Sequence, residues 1–345
     1  MKRPTSTTET VAAVTIRDVA RAAGVHVSTV SRALDLRRPG GVSAEVVASI
    51  ELAARRLGYR PNRAASALRT GRTHTIGMLV PDITNPVFPP ILQGIEAHAA
   101  SRGSFVLVAN VAASAMARPV VERLLAQQVD GVLLAIASRD DPLVSFIVES
   151  GLNAVMVNRA DDSGRLPSVV SDDRLAMKLV VDHLLLTGCH RIAHLAGPQN
   201  LPTGVGRRLG FEQAMRDHGV AAAGIAVCDA YSREAGHKAM ARLLSGKQLP
   251  DAVACCNDLV ALGAYDALAA AGLRIPYDVA VTGHNDMPLV DLIAPALTTV
   301  RPPHRELGWR AAQLLFERLD GQQLSPATVV LRPELVVRAS TRPAP

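Results

Sequence analysis

The sequence predicts a mixed α/β protein in two unequal parts: a small all-α helix-turn-helix unit, then a large two-lobed core built on parallel sheets. Three observations carry this. Short amphipathic patterns closed by glycine fill the first sixty residues; from His74 onward, β-branched apolar runs alternate with helical patterns; and charge is divided unevenly between the parts. Residues 1–73 hold 13 Lys and Arg against 5 Asp and Glu, whereas the rest of the 345-residue chain holds 24 against 26. These shifts predict a flexible tail over 1–14, a helix-turn-helix domain over 15–60, a hinge helix or linker over 61–73, and a core over 74–345.

Thr15 and Asp18 have the spacing of a capping pair, opening a helix whose Ile16, Val19 and Ala20 form an apolar stripe. Gly24 ends it. After the turn Gly24-Val25-His26, a second helix is expected from about Val27 to Leu34, with Val30, Ala33 and Leu34 on one face and Ser28, Ser31 and Arg32 directed elsewhere. Ser43 caps a third helix, which carries Val46, Val47, Ile50, Ala53, Ala54 and Leu57 at core-facing spacing and stops at Gly58. Two helices joined by a tight glycine turn, the second offering hydroxyls and an arginine on a cationic unit, describe a reader of the DNA major groove. A cap bundle on a larger enzyme and a solvated basic tail are the competing readings. In "YRPNRAASALRTGRT", residues 59–73, Pro61 breaks the chain, Asn62 can cap, and the helix that follows is too short to persist alone. A second copy of the chain and a DNA groove would hold it, with Leu68 as an apolar wedge between base steps. An Arg-rich linker is the alternative.

In the core, "TIGMLV", "SFVLVAN", "GVLLAIA", "NAVMVN", "SVVSDD", "RIAHLAG", "GIAVCDA", "DAVACCND" and "DVAVTGHND" read as strands buried on both faces. So many strands are better divided between two lobes. The predicted first lobe spans about 74–171 plus 301–325 and the second about 172–300 plus 326–345, with the return crossing near "LTTVRPP", residues 297–303. Ligands in such folds sit at the carboxyl ends of strands, here between the lobes. The helix "HRELGWRAAQLLFERLDG" is amphipathic, and its Trp309 suits either a core or a dimer contact.

Other chemistry is weakly signalled. No apolar run is long enough for a membrane span and the opening residues are too polar for a secretory signal, so a cytoplasmic protein is expected, associated with the nucleoid when bound to DNA. Cys189, Cys228, Cys255 and Cys256 form no repeated CxxC pattern and read as reduced, buried thiols. "GVGRRLG", residues 204–210, has the wrong glycine spacing for a dinucleotide loop, and His183, Cys189, His190 and His194 do not share a helix face as zinc ligands would. No nucleophile elbow or metalloprotease motif occurs. Neither a cofactor nor a metal is expected, and nothing argues for an enzyme.

"TIRDVARAAGVHVSTVSRAL" and "RLGYRPNRAASALRTGRTHTIGMLVPDITNPVF" resemble the lactose-repressor (LacI/GalR) family of bacterial transcription regulators, and the likeness runs through nearly the whole chain. The resemblance implies a periplasmic-binding-protein-like core and a DNA-facing set of Thr15, Val27, Ser28, Thr29, Ser31 and Arg32, joined in the hinge by Asn62, Arg63, Ala65 and Leu68. It implies effector contacts from Asp82, Asn85, Phe88, Arg207, Asn257, Asp258 and Asn285, with Phe88 at a ring-stacking position. His26 stands where the family often has Ser, Asp35 where it often has Asn, and His284-Asn285-Asp286 replaces the usual aromatic-Asp-Asp. Loss of an acid beside Arg207 would make the cleft more positive, favouring a sugar acid over a neutral sugar. The function so expected is a homodimeric repressor of a pseudo-palindromic double-stranded DNA operator, controlled by a carbohydrate or sugar-acid effector between the lobes. The alternatives are a ligand-binding protein of the sugar-receptor type without DNA regulation and an α/β enzyme with an accessory bundle.

Overall fold

The structure is a computed structural model that describes residues 14–34, 41–60, 71–112, 116–161, 164–246, 248–322 and 327–342. Contacts divide the chain into two units, Met1–His74 and Thr75–Pro345. The tail before Val14, the residues Asp35, Arg37 and Arg38, and the expected hinge helix over 61–70 lie outside the described residues.

The first unit holds α1 (Ile16–Ala23), α2 (Val27–Ala33) and α3 (Ala44–Leu57). Alternation of apolar and polar positions at helical spacing lets all three contribute to one small core of Val19, Ala20, Val30, Ile50, Ala53 and Ala54. Gly24 closes α1 at φ +65°, where its backbone can satisfy the last carbonyls of the helix without a Cβ clash. Leu57 departs from the expectation: it is 38% exposed, because the small core is already filled by Ile50, Ala53 and Ala54.

The second unit contains two six-stranded sheets. One has the order β11-β5-β4-β3-β1-β2, from β1 (Thr75–Val80), β2 (Phe105–Asn110), β3 (Gly131–Leu134), β4 (Ala154–Val157), β5 (Ser168–Ser171) and β11 (Thr328–Leu331). The other has the order β12-β10-β9-β8-β6-β7, from β6 (Ile192–Ala196), β7 (Gly224–Val227), β8 (Ala252–Cys255), β9 (Ala280–His284), β10 (Thr298–Arg301) and β12 (Glu334–Val336). Among the described residues all pairings are parallel except β10 with β12. Helices cover both faces of each sheet, which is why the strands read as unbroken apolar runs. In the first lobe α4 (Phe88–Ser101) and α11 (His304–Leu319) pack on one face and α5 (Ala117–Ala126) and α6 (Pro142–Glu149) on the other. In the second lobe α9 (Arg233–Leu244) and α10 (Asp258–Ala270) face α7 (Asp173–Leu186) and α8 (Pro202–Asp217) across the sheet.

Three expectations are corrected. Thr298–Arg301 is a strand of the second sheet, so the return crossing proper is Pro302-Pro303 and Arg301 belongs to the second lobe, not the first. The first lobe's return segment does not stop at 325: Thr328–Leu331 pairs in parallel with β5, and the chain crosses again only before Glu334. The short polar stretch before this strand hides it in the sequence. Finally, β2 is not covered on both faces; it is an edge strand, with Phe105 54%, Leu107 44% and Val108 37% exposed.

Glycines bring helices of both lobes into backbone contact. A Cβ on Gly308 of α11 would stand 1.9 Å from the Ile91 carbonyl oxygen of α4, and one on Gly94 of α4 would stand 2.0 Å from the Arg305 oxygen. Gly236 and Gly263 do the same for α9 and α10, at 2.2 Å from the Val260 oxygen and 2.0 Å from the Arg233 oxygen. Because the obstacle is backbone, rotamer change cannot relieve it. Gly308→Ala is expected to cost about 1–3 kcal/mol, read as a lower urea midpoint with the slope of the transition unchanged; an unshifted midpoint would refute such close packing.

Candidate functional site

Two places in the chain concentrate functional side chains, one in each unit. In the first, the Thr15 hydroxyl and N–H both donate to Asp18 Oδ2, at 2.7 and 3.0 Å, pinning the start of α1 and holding the Asp18 carboxyl below the usual range. His26 takes the N-cap position of α2: its Nδ1 accepts from the Ser28 N–H at 3.2 Å and lies 2.8 Å from the Ser28 hydroxyl. The imidazole thus performs the capping task for which a small hydroxyl residue is the commoner choice. Ser28 and Arg32 are exposed, with Arg32 Nε donating to the Ser28 carbonyl at 3.3 Å. Thr29 and Ser31 are half-buried, and Val27 packs partly against the small core. The solvent edge of α2 is therefore led by Ser28 and Arg32. Asn62, Arg63, Ala65 and Leu68 lie outside the described residues.

In the second unit, polar residues collect where strands end, because parallel strands leave their loops at the carboxyl edge of each sheet. The Arg139 N–H, following β3, donates to the Asn200 carbonyl, following β6, at 3.1 Å and so ties the two lobes across this edge. Arg207 of α8, 5% exposed, is the hub: Nε donates to Asp173 Oδ1 at 2.9 Å and Nη1 to the Cys256 carbonyl at 2.6 Å. The guanidinium charge acts on the titratable groups around it. It joins burial in lowering His284 well below its ordinary value, with His304 adding to the effect. It also joins burial in lowering His304 to about 4 and in lowering Arg159. For Tyr231, burial pushes the phenol up to about 12 while Arg207 opposes the rise; the Tyr231 hydroxyl pairs with Thr203 Oγ1 at 2.8 Å. A cavity of about 640 Å³ opens beside this cluster, lined by Pro90 of the first lobe, Asn285 and Asp286 of the second, and His304 and Trp309 beyond the crossing.

The expected effector residues divide by task. Asn285 lines this cavity, whereas Arg207 does not reach its wall; Asn285 sits at φ +116°, its N–H donating to the Val300 carbonyl at 2.8 Å. Asp258 is instead a buried strut. Its Oδ1 accepts from Thr299 Oγ1 at 2.6 Å and its Oδ2 from the Met287 N–H at 2.8 Å, fixing the loop after β9 to β10. Asn257 caps α10 through the Val260 N–H at 2.8 Å. Asp82 accepts from Thr84, and Asn85 from the Val87 N–H, so both shape the loop after β1. Phe88, the first residue of α4, is 4% exposed and belongs to the first lobe's core.

Sequence reasoning missed Asp173, Arg159, Tyr231 and His304, and noted His284 only as a departure from the family pattern. Asp173 was visible as half of an acidic pair after a β-branched strand, but nothing in the sequence names a partner 34 positions away. That partner corrects the electrostatic expectation: a carboxylate does stand beside Arg207, supplied by Asp173. Asp286, the acid left in the altered triplet, is held by Arg301 and Arg338 at 2.6 and 2.7 Å. The weak rival motifs dissolve into structure. Residues 204–210 lie inside α8, His194 stacks on Phe211 while its Nδ1 pairs with the Ala254 carbonyl, and His183 pairs with Thr341. All four cysteines are buried and free.

Comparison with known proteins gives the same division. Residues 15–62 match the model of bacterial regulatory proteins of the lacI family, and residues 181–341 match the periplasmic binding protein-like domain. The HTH-type transcriptional repressor CytR of Escherichia coli (strain K12) is 35% identical, covering 96% of this chain and 98% of its own length. The chain belongs to the lacI family of bacterial regulatory proteins. Among solved structures, the lac repressor dimer bound to operator and the anti-inducer ONPF superposes with a TM-score of 0.83 at 27% identity, covering 96% of this chain and 100% of its own. The transcriptional regulator CelR in complex with cellobiose does so with a TM-score of 0.74 at 31% identity, over 95% and 99%. The lacI-family match sets aside both a sugar receptor without DNA regulation and an enzyme with an accessory bundle: the chain is a DNA-binding transcriptional repressor of a non-enzymatic family. Among the described residues no helix is long and apolar enough to cross a membrane.

Buried titratable groups give the core a pH signature. His194 and His304 are pulled from 6.5 to about 4, mainly by burial, so between those values the unfolded chain binds more protons and stability falls as pH falls. Asp258 works oppositely: burial raises it from 3.8 to about 6, so the folded form takes up its proton first and gains stability as pH drops through 6. Two imidazoles outweigh one acid, and the melting temperature is expected to fall from pH 6.5 to 4. Asp258→Asn removes the opposing contribution and should steepen that fall; a slope unaltered by the substitution would contradict this assignment.

Proposed function

We propose that this lacI-family repressor acts as a homodimer in the cytoplasm, reading a pseudo-palindromic operator through the solvent edge of α2 and releasing or retaining it in response to a sugar-like effector held between the two core lobes. The observation that carries the reading is the presence, in one chain, of an exposed Ser28–Arg32 helix edge on a strongly basic unit and a buried arginine cluster at the carboxyl ends of two facing sheets. The first supplies a DNA contact. The second supplies a ligand site. When bound to its operator the protein is part of the nucleoid.

On the DNA side, Ser28 and Arg32 would meet base edges, with Val27 suited to a thymine methyl and Thr15, Thr29 and Ser31 to the flanking backbone. Residues 61–73, with Asn62, Arg63, Ala65 and Leu68, would form the hinge between reader and core. On the ligand side, Arg207 and Asn285 would touch the effector, while Asp82, Asn85, Phe88, Asn257 and Asp258 would shape the walls around it. Two members of the family are described as a lac repressor dimer on its operator and as a cellobiose complex of CelR, and both descriptions support this reading. Coupling requires only that the effector bind two lobe arrangements with unequal affinity.

The dimer reading draws on the exposed apolar edge of β2, where Leu107 and Val108 stand in solvent. Leu107→Lys should drive the protein toward monomer in sedimentation, and an unmoved association constant would remove β2 from the interface. For the reader, selection of bound sequences from a random duplex pool should return one two-fold symmetric motif with steep salt dependence. Arg32→Ala should then weaken binding to that motif by roughly 1–3 kcal/mol. Binding without sequence preference would sink the function, and unchanged affinity would take Arg32 out of it.

A further inference from the structure

The exposed edge of α2 is constrained in what it can read, on the reading that Ser28 meets DNA bases. His26 and Ser28 are both exposed. Two contacts join them: the Ser28 N–H donates to His26 Nδ1 at 3.2 Å, and the Ser28 hydroxyl oxygen stands 2.8 Å from the same nitrogen. A ring nitrogen that accepts a hydrogen bond offers a lone pair and carries no hydrogen of its own. The backbone N–H therefore fixes the tautomer, with the ring hydrogen on Nε2. A 2.8 Å approach of oxygen to a bare nitrogen needs a hydrogen between them, and of the two groups only the serine hydroxyl can supply it.

With that hydrogen committed to Nδ1, Ser28 Oγ has only lone pairs left to offer. The backbone of Ser28 is committed as well: its N–H is used by His26, and its carbonyl accepts from Arg32 Nε at 3.3 Å. An unrestrained serine hydroxyl is ambivalent toward base edges, because it can turn to donate or to accept. Here, turning away to donate would exchange one hydrogen bond for another and gain nothing. Accepting costs no bond. In the major groove the donors are the exocyclic amines, N6 of adenine and N4 of cytosine, whereas guanine and thymine present acceptors.

We infer that His26 is a positioning residue for DNA reading: it locks the Ser28 hydroxyl as an acceptor, so that Ser28 selects a base whose exocyclic amine faces it, adenine or cytosine. One nitrogen then performs two tasks. It caps α2, and it gives Ser28 a direction. The substitution His26→Ser would keep a capping oxygen of a favoured kind, yet a hydroxyl that both donates and accepts would dictate no direction to Ser28. Because the lock is confined to residues 26 and 28, its effect belongs to one base pair in each half of the operator.

The test uses the full-length protein and the motif returned by selection from a random duplex pool. Ser28→Ala locates the contacted base pair as the position whose preference it relaxes. Two modified duplexes then probe that pair. In one, purine replaces adenine or pyrimidin-2-one replaces cytosine, which deletes the amine; in the other, a 7-deazapurine deletes the N7 acceptor. Amine deletion is expected to weaken binding of the parent roughly three- to tenfold but not that of Ser28→Ala, while loss of N7 costs both proteins the same. In His26→Ser the cost of reversing this base pair should fall by a similar factor, with preferences at every other position and binding to unrelated duplex as in the parent. An amine-deleted duplex bound as tightly as the original, an N7 loss that Ser28→Ala abolishes, or a reversal cost that persists in His26→Ser would each overturn the proposal. So would a His26→Ser protein that weakens on every sequence alike, the mark of a helix cap and nothing more. In all of these cases Ser28 remains a base reader. A motif in which no position responds to Ser28→Ala removes Ser28 from the reading itself, and the role of His26 falls with it.

Discussion

The ion pair between Arg207 and Asp173 is the constraint around which the core's chemistry is arranged. It joins the first residue of α7 to the middle of α8 and, through the Cys256 carbonyl, to the end of β8. Removing two charges from water is repaid only when their geometry is good and their remaining hydrogen-bonding capacity is used, and the surroundings comply. The nearby imidazoles stay neutral, the Tyr231 phenol stays protonated, and Asp286 is drawn off by Arg301 and Arg338. A fixed cation that is already satisfied can orient a ligand without being reorganised by it.

Around that pair, polar residues at strand ends divide between holding loops and facing the cleft. Asp258 shows the first role: a carboxylate with no exposure, spent on Thr299 and the Met287 N–H, close enough to Gly283 that a Cβ there would come within 2.1 Å of its Oδ1. Asn285 shows the second, lining the cavity just beyond β9. Sequence position alone does not separate the two, because both kinds of residue stand just beyond the end of a strand.

Much of the architecture was legible before any coordinates. Thr15, Gly24, Ser43 and Gly58 punctuate the first unit because capping is local chemistry, readable within four residues. The strands of the core were legible because burial on both faces forces continuous apolar runs. What escaped depends on distant partners. Thr328–Leu331 is a strand because β5 offers it an edge, not because its own sequence insists. Leu107 looked buried because nothing in "SFVLVAN" says which strand is last in its sheet. The site followed the same rule: Arg207 and Asn285 were visible through resemblance, whereas the company of Asp173, Arg159, His284 and His304 exists only after folding. His26 was legible as a departure, and its capping bond explains why it is tolerated.

The interleaving of the two lobes bears on how the molecule comes into being. Ser168 must wait for Thr328, 160 residues later, before its sheet has that edge, and β10 likewise waits for Glu334 and its neighbours. The basic unit, by contrast, is made entirely of short-range contacts. On a ribosome it can therefore consolidate early, while both halves of the core remain unfinished until almost the same late moment. A nascent chain would possess its DNA-reading surface well before it possesses the sensor that governs it, which places a premium on rapid completion of synthesis or on help from chaperones during the interval.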